Sequence, residues 1–419
     1  MHLLSLLTFT VLLTLFALVN SRSWKRIESA KKKLNNVNGP TRRWQKIDPK
    51  NMTEEECEQY RRKYGINPLR AAARLQRLQK RGYRGEHRMS KQDYDTKEKI
   101  HKVYEEVIIE KPDGDEVGDL FEVNEMTGVS DLLVEGDINL TDEQFADLVK
   151  DDNSTRSKRQ VTMLYPRWTN KNVYYYFDSS ITPLKKQHIM AGINYIQSRT
   201  CVSFHYSTTA PNRIRFIAGN GCYSSVGMIG GVQDLSLGKG CDSIGTVVHE
   251  MMHALGVFHM QSRYDRDCDA FASRKGKPSM IPLDEDYLFT IGNKQVSFYD
   301  IQLINLMYSC MCFHGPTCSH GGIRNPRSCN QCLCPSGYSG QTCSMRPPGC
   351  GYTLSASPSW QTTTLTLGES NKVVRMDYTY CTSWITAPPG TRIQLKLTSF
   401  TNSQCAFGYV FKFDYALCA

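Results

Sequence analysis

Apolar positions along this chain fall into distinct patterns, and each predicts a different element. Residues 1–21 form a nearly unbroken apolar run, from Leu3-Leu4-Ser5-Leu6-Leu7 to Leu15-Phe16-Ala17-Leu18-Val19, which ends in small polar residues and meets a basic segment. With no second long apolar run behind it, this stretch reads as a cleaved secretory signal peptide, and no membrane span is expected. Asn172-Val173-Tyr174-Tyr175-Tyr176-Phe177, within 168–177, is rich in β-branched and aromatic residues and reads as a strand. Cys201-Val202-Ser203-Phe204 and Ile214-Arg215-Phe216-Ile217 read the same way. Between them, residues 184–199 place Ile189, Ile193 and Ile196 at helical spacing, which predicts an amphipathic helix. Upstream of residue 160 the patterning is weaker. Residues 69–78, strong helix formers with a basic face, predict a helix, and much of the remainder is expected to be disordered.

Charge sharpens that boundary. Residues 22–91 carry 21 Lys and Arg against 7 Asp and Glu, whereas residues 92–152 carry 5 against 20, so the two halves of this region can attract each other. The part after Arg159 carries 22 Lys and Arg against 14 Asp and Glu, a balance of +8 that suits acidic matrix partners or is simply a solvated surface, and no nucleic-acid partner is expected of a secreted chain. Sixteen cysteines after a secretory signal are read as disulfides formed in an oxidising compartment. Sequons at Asn51, Asn139 and Asn153 point along the same route to glycosylation and an extracellular location.

Candidate chemistry is concentrated at residues 249–259, which read H-E-x-x-H-x-x-G-x-x-H. His249 and His253, four apart, stack on one face of a helix and can present both imidazoles to one ion. Glu250 points beside that ion, where a base must sit to take a proton from a metal-bound water. Gly256 lets the backbone leave the helix, so that His259 can return as third ligand. Three neutral imidazoles leave one tetrahedral position open, the arrangement of catalytic zinc. The bland reading, an amphipathic core helix with incidental histidines, does not account for the glycine and third histidine at fixed offsets.

Arg263-Tyr264-Asp265-Arg266-Asp267 extends the string, and here the chain closely resembles the astacin family of zinc endopeptidases, which are metzincins. The resemblance implies an α+β catalytic domain over 160–310, built on a twisted sheet and a zinc helix, with one Zn2+ per chain. It implies that a strand near 222–227 borders the cleft and pairs with extended substrates, and that Cys222 joins Cys241 and Cys201 joins Cys310. Residues 22–159 then become a pro-segment. Arg156-Ser157-Lys158-Arg159 is an R-x-K-R site of the kind a proprotein convertase cuts, leaving Gln160 as the new terminus, although a solvated basic tetrad is the plain alternative. Val134-Glu135-Gly136-Asp137 resembles the F-x-G-D stretch of astacin pro-segments, whose aspartate fills the metal's open position. Asp137 is the residue matched to that latency switch; a Gly-Asp pair is otherwise an ordinary turn.

Two departures from the family pattern stand out. Astacins carry an S-x-M-H-Y turn beneath the zinc, whose tyrosine helps to hold the metal and the oxyanion. Here Arg266-Asp267-Cys268-Asp269 runs directly into residues 271–282, which resemble the stretch beyond that turn in relatives, so the lower subdomain is shortened near 268–270. Met280 aligns downstream and does not replace the turn. Met260 stands where the family has a glutamate that anchors the freed amino terminus, and a thioether makes no ionic anchor.

The cysteine spacing over 311–344 resembles an EGF-like module, a unit too small to fold without staples. That resemblance implies the pairs Cys312 with Cys329, Cys318 with Cys332, and Cys334 with Cys343. Residues 350–419 resemble the opening of an all-β CUB sandwich, truncated before it closes, and Cys57 and Cys268 have no obvious partner. The whole reads as a secreted zinc endopeptidase, made as a latent precursor and similar to nematode astacins that act on cuticle and extracellular matrix proteins. The alternative is a catalytically impaired splice form, or an extracellular binding protein, that lacks the Met-turn.

Overall fold

The structure is a computed structural model that describes residues 49–80, 120–150, 166–259, 296–364 and 380–395. All of these lie in the unit that begins at Lys46. The expected signal peptide lies outside the described residues.

The region before residue 160 is more helical than its composition predicts. Thr53 opens α1 (Glu54–Tyr64) with a capping box: the Thr53 side chain accepts from the Glu56 N–H, and the Glu56 carboxylate accepts from the Thr53 N–H at 2.8 Å. Acidic residues fill its first turn and basic ones its last, in the sense the helix dipole favours. Gly65, at φ +74°, ends it. Then come α2 (Pro68–Lys80), α3 (Leu120–Thr127) and α4 (Asp142–Lys150). The helix expected over 69–78 is found as α2, and the expectation of extensive disorder is corrected for α1, α3 and α4. Each of the four is short, and each is held by docking: Tyr60 of α1 and Ala71 of α2 pack in one apolar cluster with Tyr223 of the following domain, Val123 of α3 joins the main core, and Phe145 of α4 packs with Val226 and Phe258. The attraction expected between the basic and acidic halves is met where the Arg74 guanidinium bonds Asp142 at 2.8 Å and the Leu140 carbonyl at 2.9 Å.

The domain after residue 160 is α+β. The strand expected over 168–177 is shorter, β1 (Asn172–Phe177), because the chain makes a 3-10 turn over Thr169–Lys171, with Asn170 and Lys171 left-handed, ahead of it. It is followed by α5 (Pro183–Gln197), capped by the Thr182 side chain with Pro183 in the first turn, then β2 (Ser203–Tyr206), β3 (Arg213–Ile217), β4 (Cys222–Ser224) and β5 (Val232–Leu237). The sheet order is β2-β1-β3-β5-β4, parallel except for β4, which runs antiparallel to β5 and forms one edge.

Helix α6 (Ile244–Ala254), capped by Ser243, packs on α5. The isoleucines of α5, Val173, Tyr175, Phe216 and Leu235 of the sheet, and Val247, Val248 and Met251 of α6 make one core. Gly192 permits the close helix crossing, since a Cβ there would meet Val247 Cγ1 at 2.6 Å. Farther on come α7 (Phe298–Met307), the hairpin of β6 (Ile323–Asn325) and β7 (Ser328–Leu333), and the parallel pair of β8 (Thr353–Ser355) and β9 (Trp384–Thr386). Disulfides join Cys201 to Cys310 and Cys222 to Cys241 within the domain, and Cys312 to Cys329, Cys318 to Cys332 and Cys334 to Cys343 around the hairpin. A further bridge joins Cys350 to Cys381, and Cys57 is buried and free.

The carbonyls at the end of α6 have no partners within the helix and find them outside it. Trp168 Nε1 donates to Ala254 O at 2.8 Å, and the Tyr308 hydroxyl donates to Leu255 O at 2.9 Å, so residues before β1 and after α7 brace the point where the chain turns toward His259. Tyr308→Phe keeps the buried ring and deletes that donor. We expect it to lower unfolding stability by about 1–3 kcal/mol in chemical denaturation, the cost of a buried unsatisfied carbonyl. A change below a few tenths of a kcal/mol would show that the brace carries no weight.

Candidate metal centre

Helix α6 places His249 and His253 one turn apart on the same face, and Glu250 beside them. Beyond its end Gly256 takes φ +103°, a conformation that strains residues with a Cβ, and the chain reverses to bring His259 back. Val257 stays close enough for its carbonyl to accept from His253 Nδ1 at 2.7 Å. A carbonyl only accepts, so the His253 proton sits on Nδ1 and its Nε2 lone pair faces the cluster.

The fourth group comes from far upstream. Val134 and Ile138 exchange backbone hydrogen bonds of 2.9 and 3.0 Å, closing a tight loop in which Glu135 (φ +55°) and Gly136 (φ +89°) are left-handed. The loop delivers Asp137 to the histidines. Its Oδ2 lies 3.0 Å from His249 Nε2, 3.1 Å from His259 Nε2 and 3.7 Å from His253 Nε2, and the His249 Nε2 lies 3.1 and 3.3 Å from the other two. The four ligand atoms fall within 4.8 Å of one another. A tetrahedral zinc with bonds of about 2.0–2.1 Å separates its ligands by roughly 3.3 Å, so the set fits such an ion.

The electrostatics call for positive charge at that point. Burial works to raise the Asp137 carboxyl, but the charge of His259 and a hydrogen bond from His249 outweigh it and hold the group well below the usual range. Burial likewise works to lower His259, yet Asp137 and Glu135 hold it well above its ordinary value. His249 keeps 36 % of its side chain exposed, but desolvation of its inner edge is the leading cause that pushes it down to about 4, against the pull of Asp137. Glu250 is fully buried, and neither carboxylate oxygen has a hydrogen-bond partner among the described residues. Burial and the nearby Asp137 push its carboxyl well above the usual range, the state of a group poised to exchange a proton.

The backbone around Asp137 is also engaged. Ser224 N donates to Asp137 O at 3.1 Å and Asn139 N to Ser224 O at 2.8 Å, so this stretch runs parallel to the β4 edge and covers it. Three side chains that sequence reading missed hold it there through polar contacts. Asn124, fully buried, accepts from Cys222 N at 2.7 Å and donates to Cys222 O and Gly136 O, standing in for a neighbouring strand. Gln144 Nε2 donates to Val226 O at 2.8 Å, and the Tyr223 hydroxyl donates to Tyr64 O at 2.8 Å. No local signal marks these residues, whose partners, Gly136 apart, lie 82 to 159 positions away. Of the sequons, Asn51 is exposed, while Asn139 directs its amide nitrogen, the atom that would carry a glycan, at Gly65 O at 3.4 Å. Asn153, Arg159, Gln160, Met260, Cys268 and the 267–271 junction lie outside the described residues.

Against proteins of known kind, residues 160–269 match the model of the Astacin peptidase family. The chain is 38% identical to zinc metalloproteinase nas-32 of Caenorhabditis elegans over 360 residues, 75% of this chain and 54% of that protein, and 38% identical to nas-31 over 70% and 57%. It is 35% identical to nas-17 of the same organism over 66% of this chain and 73% of that protein. The chain belongs to the astacin family. It spans a little over half the length of nas-32 and nas-31. Astacins are zinc metalloproteinases, and the cluster of three histidines and Asp137 could hold one such ion.

Metal analysis of the purified full chain should find about one zinc, and a His253→Ala chain much less, since the buried central imidazole would be gone. Equal zinc in the two would remove this cluster as the metal centre.

Proposed function

We propose that the chain is a secreted zinc-dependent endopeptidase, made as a latent precursor, that hydrolyses peptide bonds of extracellular matrix or cuticle proteins. One observation carries the reading: Asp137 puts its carboxylate on the point shared by three imidazoles while its backbone occupies the β4 edge. Metal and substrate positions are thereby blocked by one short segment. Cleavage by a proprotein convertase after Arg159, leaving Gln160 as the new terminus, would free both. An extended substrate would then pair along β4, and backbone pairing tolerates many sequences.

In this mechanism His249, His253 and His259 would hold the ion, their Nε2 atoms being the ones that converge. Zinc, when bound, polarises a carbonyl and lowers the pKa of a water it holds. Glu250 takes the proton of the attacking water and returns it to the leaving amine, a role that suits a buried carboxyl whose pKa is pushed upward. Downstream, the pairs Cys312–Cys329, Cys318–Cys332 and Cys334–Cys343 support an EGF-like reading of 311–344. The all-β, CUB-like reading of 350–419 is supported, among the described residues, by β8 and β9.

A second reading is a chain that binds zinc and turns over little or nothing. It is favoured by the sequence at 267–271, where the S-x-M-H-Y turn is missing, and the match to the family model stops at 269.

One experiment separates the two. An Asp137→Ala precursor is expected to cleave a generic protein substrate that the unmutated precursor leaves intact. Adding Glu250→Ala should reduce that turnover by at least about a hundredfold without loss of zinc. A zinc-loaded Asp137→Ala chain that is as silent as the unmutated precursor, before and after cleavage at Arg159, would favour the impaired form.

A further inference from the structure

His253 and His259 are oriented by different parts of the chain. The carbonyl behind His253 belongs to Val257, within the segment that carries the ligands. The group behind His259 is Glu135, whose Oε2 lies 2.8 Å from Nδ1, with each of the two side chains only 4% exposed. A carboxylate accepts, so Nδ1 carries a proton, and Nε2 is the nitrogen that faces the centre. The residue just before this ligand is held the same way: Phe258 packs among Val134, Ile138, Leu140 and Phe145, all upstream of the basic tetrad. The third imidazole is thus gripped through its own ring and through its neighbour by the stretch that cleavage would remove. Glu135 reaches it from a left-handed backbone at φ +55°, an uncommon conformation for a residue with a side chain.

We propose that Glu135 is a positioning residue for His259, so that the pro-segment retains the metal in the latent chain as well as blocking it, and its removal loosens the third ligand. The proposal rests on the latency reading given above. A carboxylate behind a histidine ligand fixes the ring and raises its basicity, and losing such a partner typically costs about 10–100-fold in metal affinity. His253 keeps its Val257 partner whether or not the pro-segment is present, so the loosening is confined to one side of the centre.

The test is the rate at which zinc-loaded full-length precursor loses its metal to a chromogenic chelator. Glu135→Ala should release zinc about 10–100-fold faster than the unmutated chain. Both residues carry a Cβ, so the strained backbone is left as it was. Glu135→Gln should fall between the two, because its amide oxygen still accepts from Nδ1 without the charge; that partial rescue would not follow a general loss of packing. Release from Glu135→Ala at the unmutated rate would overturn the proposal, and so would Glu135→Gln releasing as fast as Glu135→Ala. Failure of the latency reading shows elsewhere, as an Asp137→Ala precursor that gains no peptidase activity.

Discussion

A single carboxylate oxygen set against three imidazole nitrogens organises this molecule. Asp137 Oδ2 sits about one tetrahedral edge from His249 and His259 and a little farther from His253, and it does so while fully buried. A buried anion is costly unless positive charge or a metal meets it, so the arrangement is stable only because the histidines converge on it. Their convergence depends in turn on the braced end of α6 and on Gly256, which sets the angle at which the chain returns. Local geometry at residues 254–259 therefore decides whether a loop more than a hundred positions upstream can dock.

That docking uses surfaces that a sheet cannot leave bare without consequence. The β4 edge would otherwise present unpaired backbone groups, and the 137–139 stretch takes them together with the side chain of Asn124. The apolar faces of the upstream helices cover Tyr223, Val226 and Phe258. Ion pairing contributes less: Asp142 in the Arg74 pair is 63% exposed, and such pairs are worth at most about 1 kcal/mol. Burial and edge pairing hold the upstream region in place, and the segregated charges refine it.

What could be read from the sequence depends on the range of the interactions. The helix around His249 and His253, its glycine exit and the isoleucine stripe of α5 rest on neighbours within a turn or two, and their spacing shows in the string. Trp168 shows the first limit. Its aromatic character suggests a strand that begins there, but its indole bonds Ala254 O and a turn with left-handed Asn170 and Lys171 follows it, so the strand starts at Asn172. The helices α1, α3 and α4 show the second. They are short and polar, and their partners are supplied by the other domain, so composition alone suggests disorder. Glu135 is visible in the string but not in its role, because nothing local says that a residue in a tight loop will meet a histidine 124 positions later.

The central claim is that Asp137 shares one metal position with the three histidines in the full chain. Anomalous diffraction at the zinc edge from crystals of the full chain tests it directly. A single peak bonded to Nε2 of His249, His253 and His259 and to Oδ2 of Asp137, each at about 2.0–2.2 Å, is the predicted result. A peak held by the histidines with Asp137 turned away, or a peak elsewhere in the chain, would contradict it.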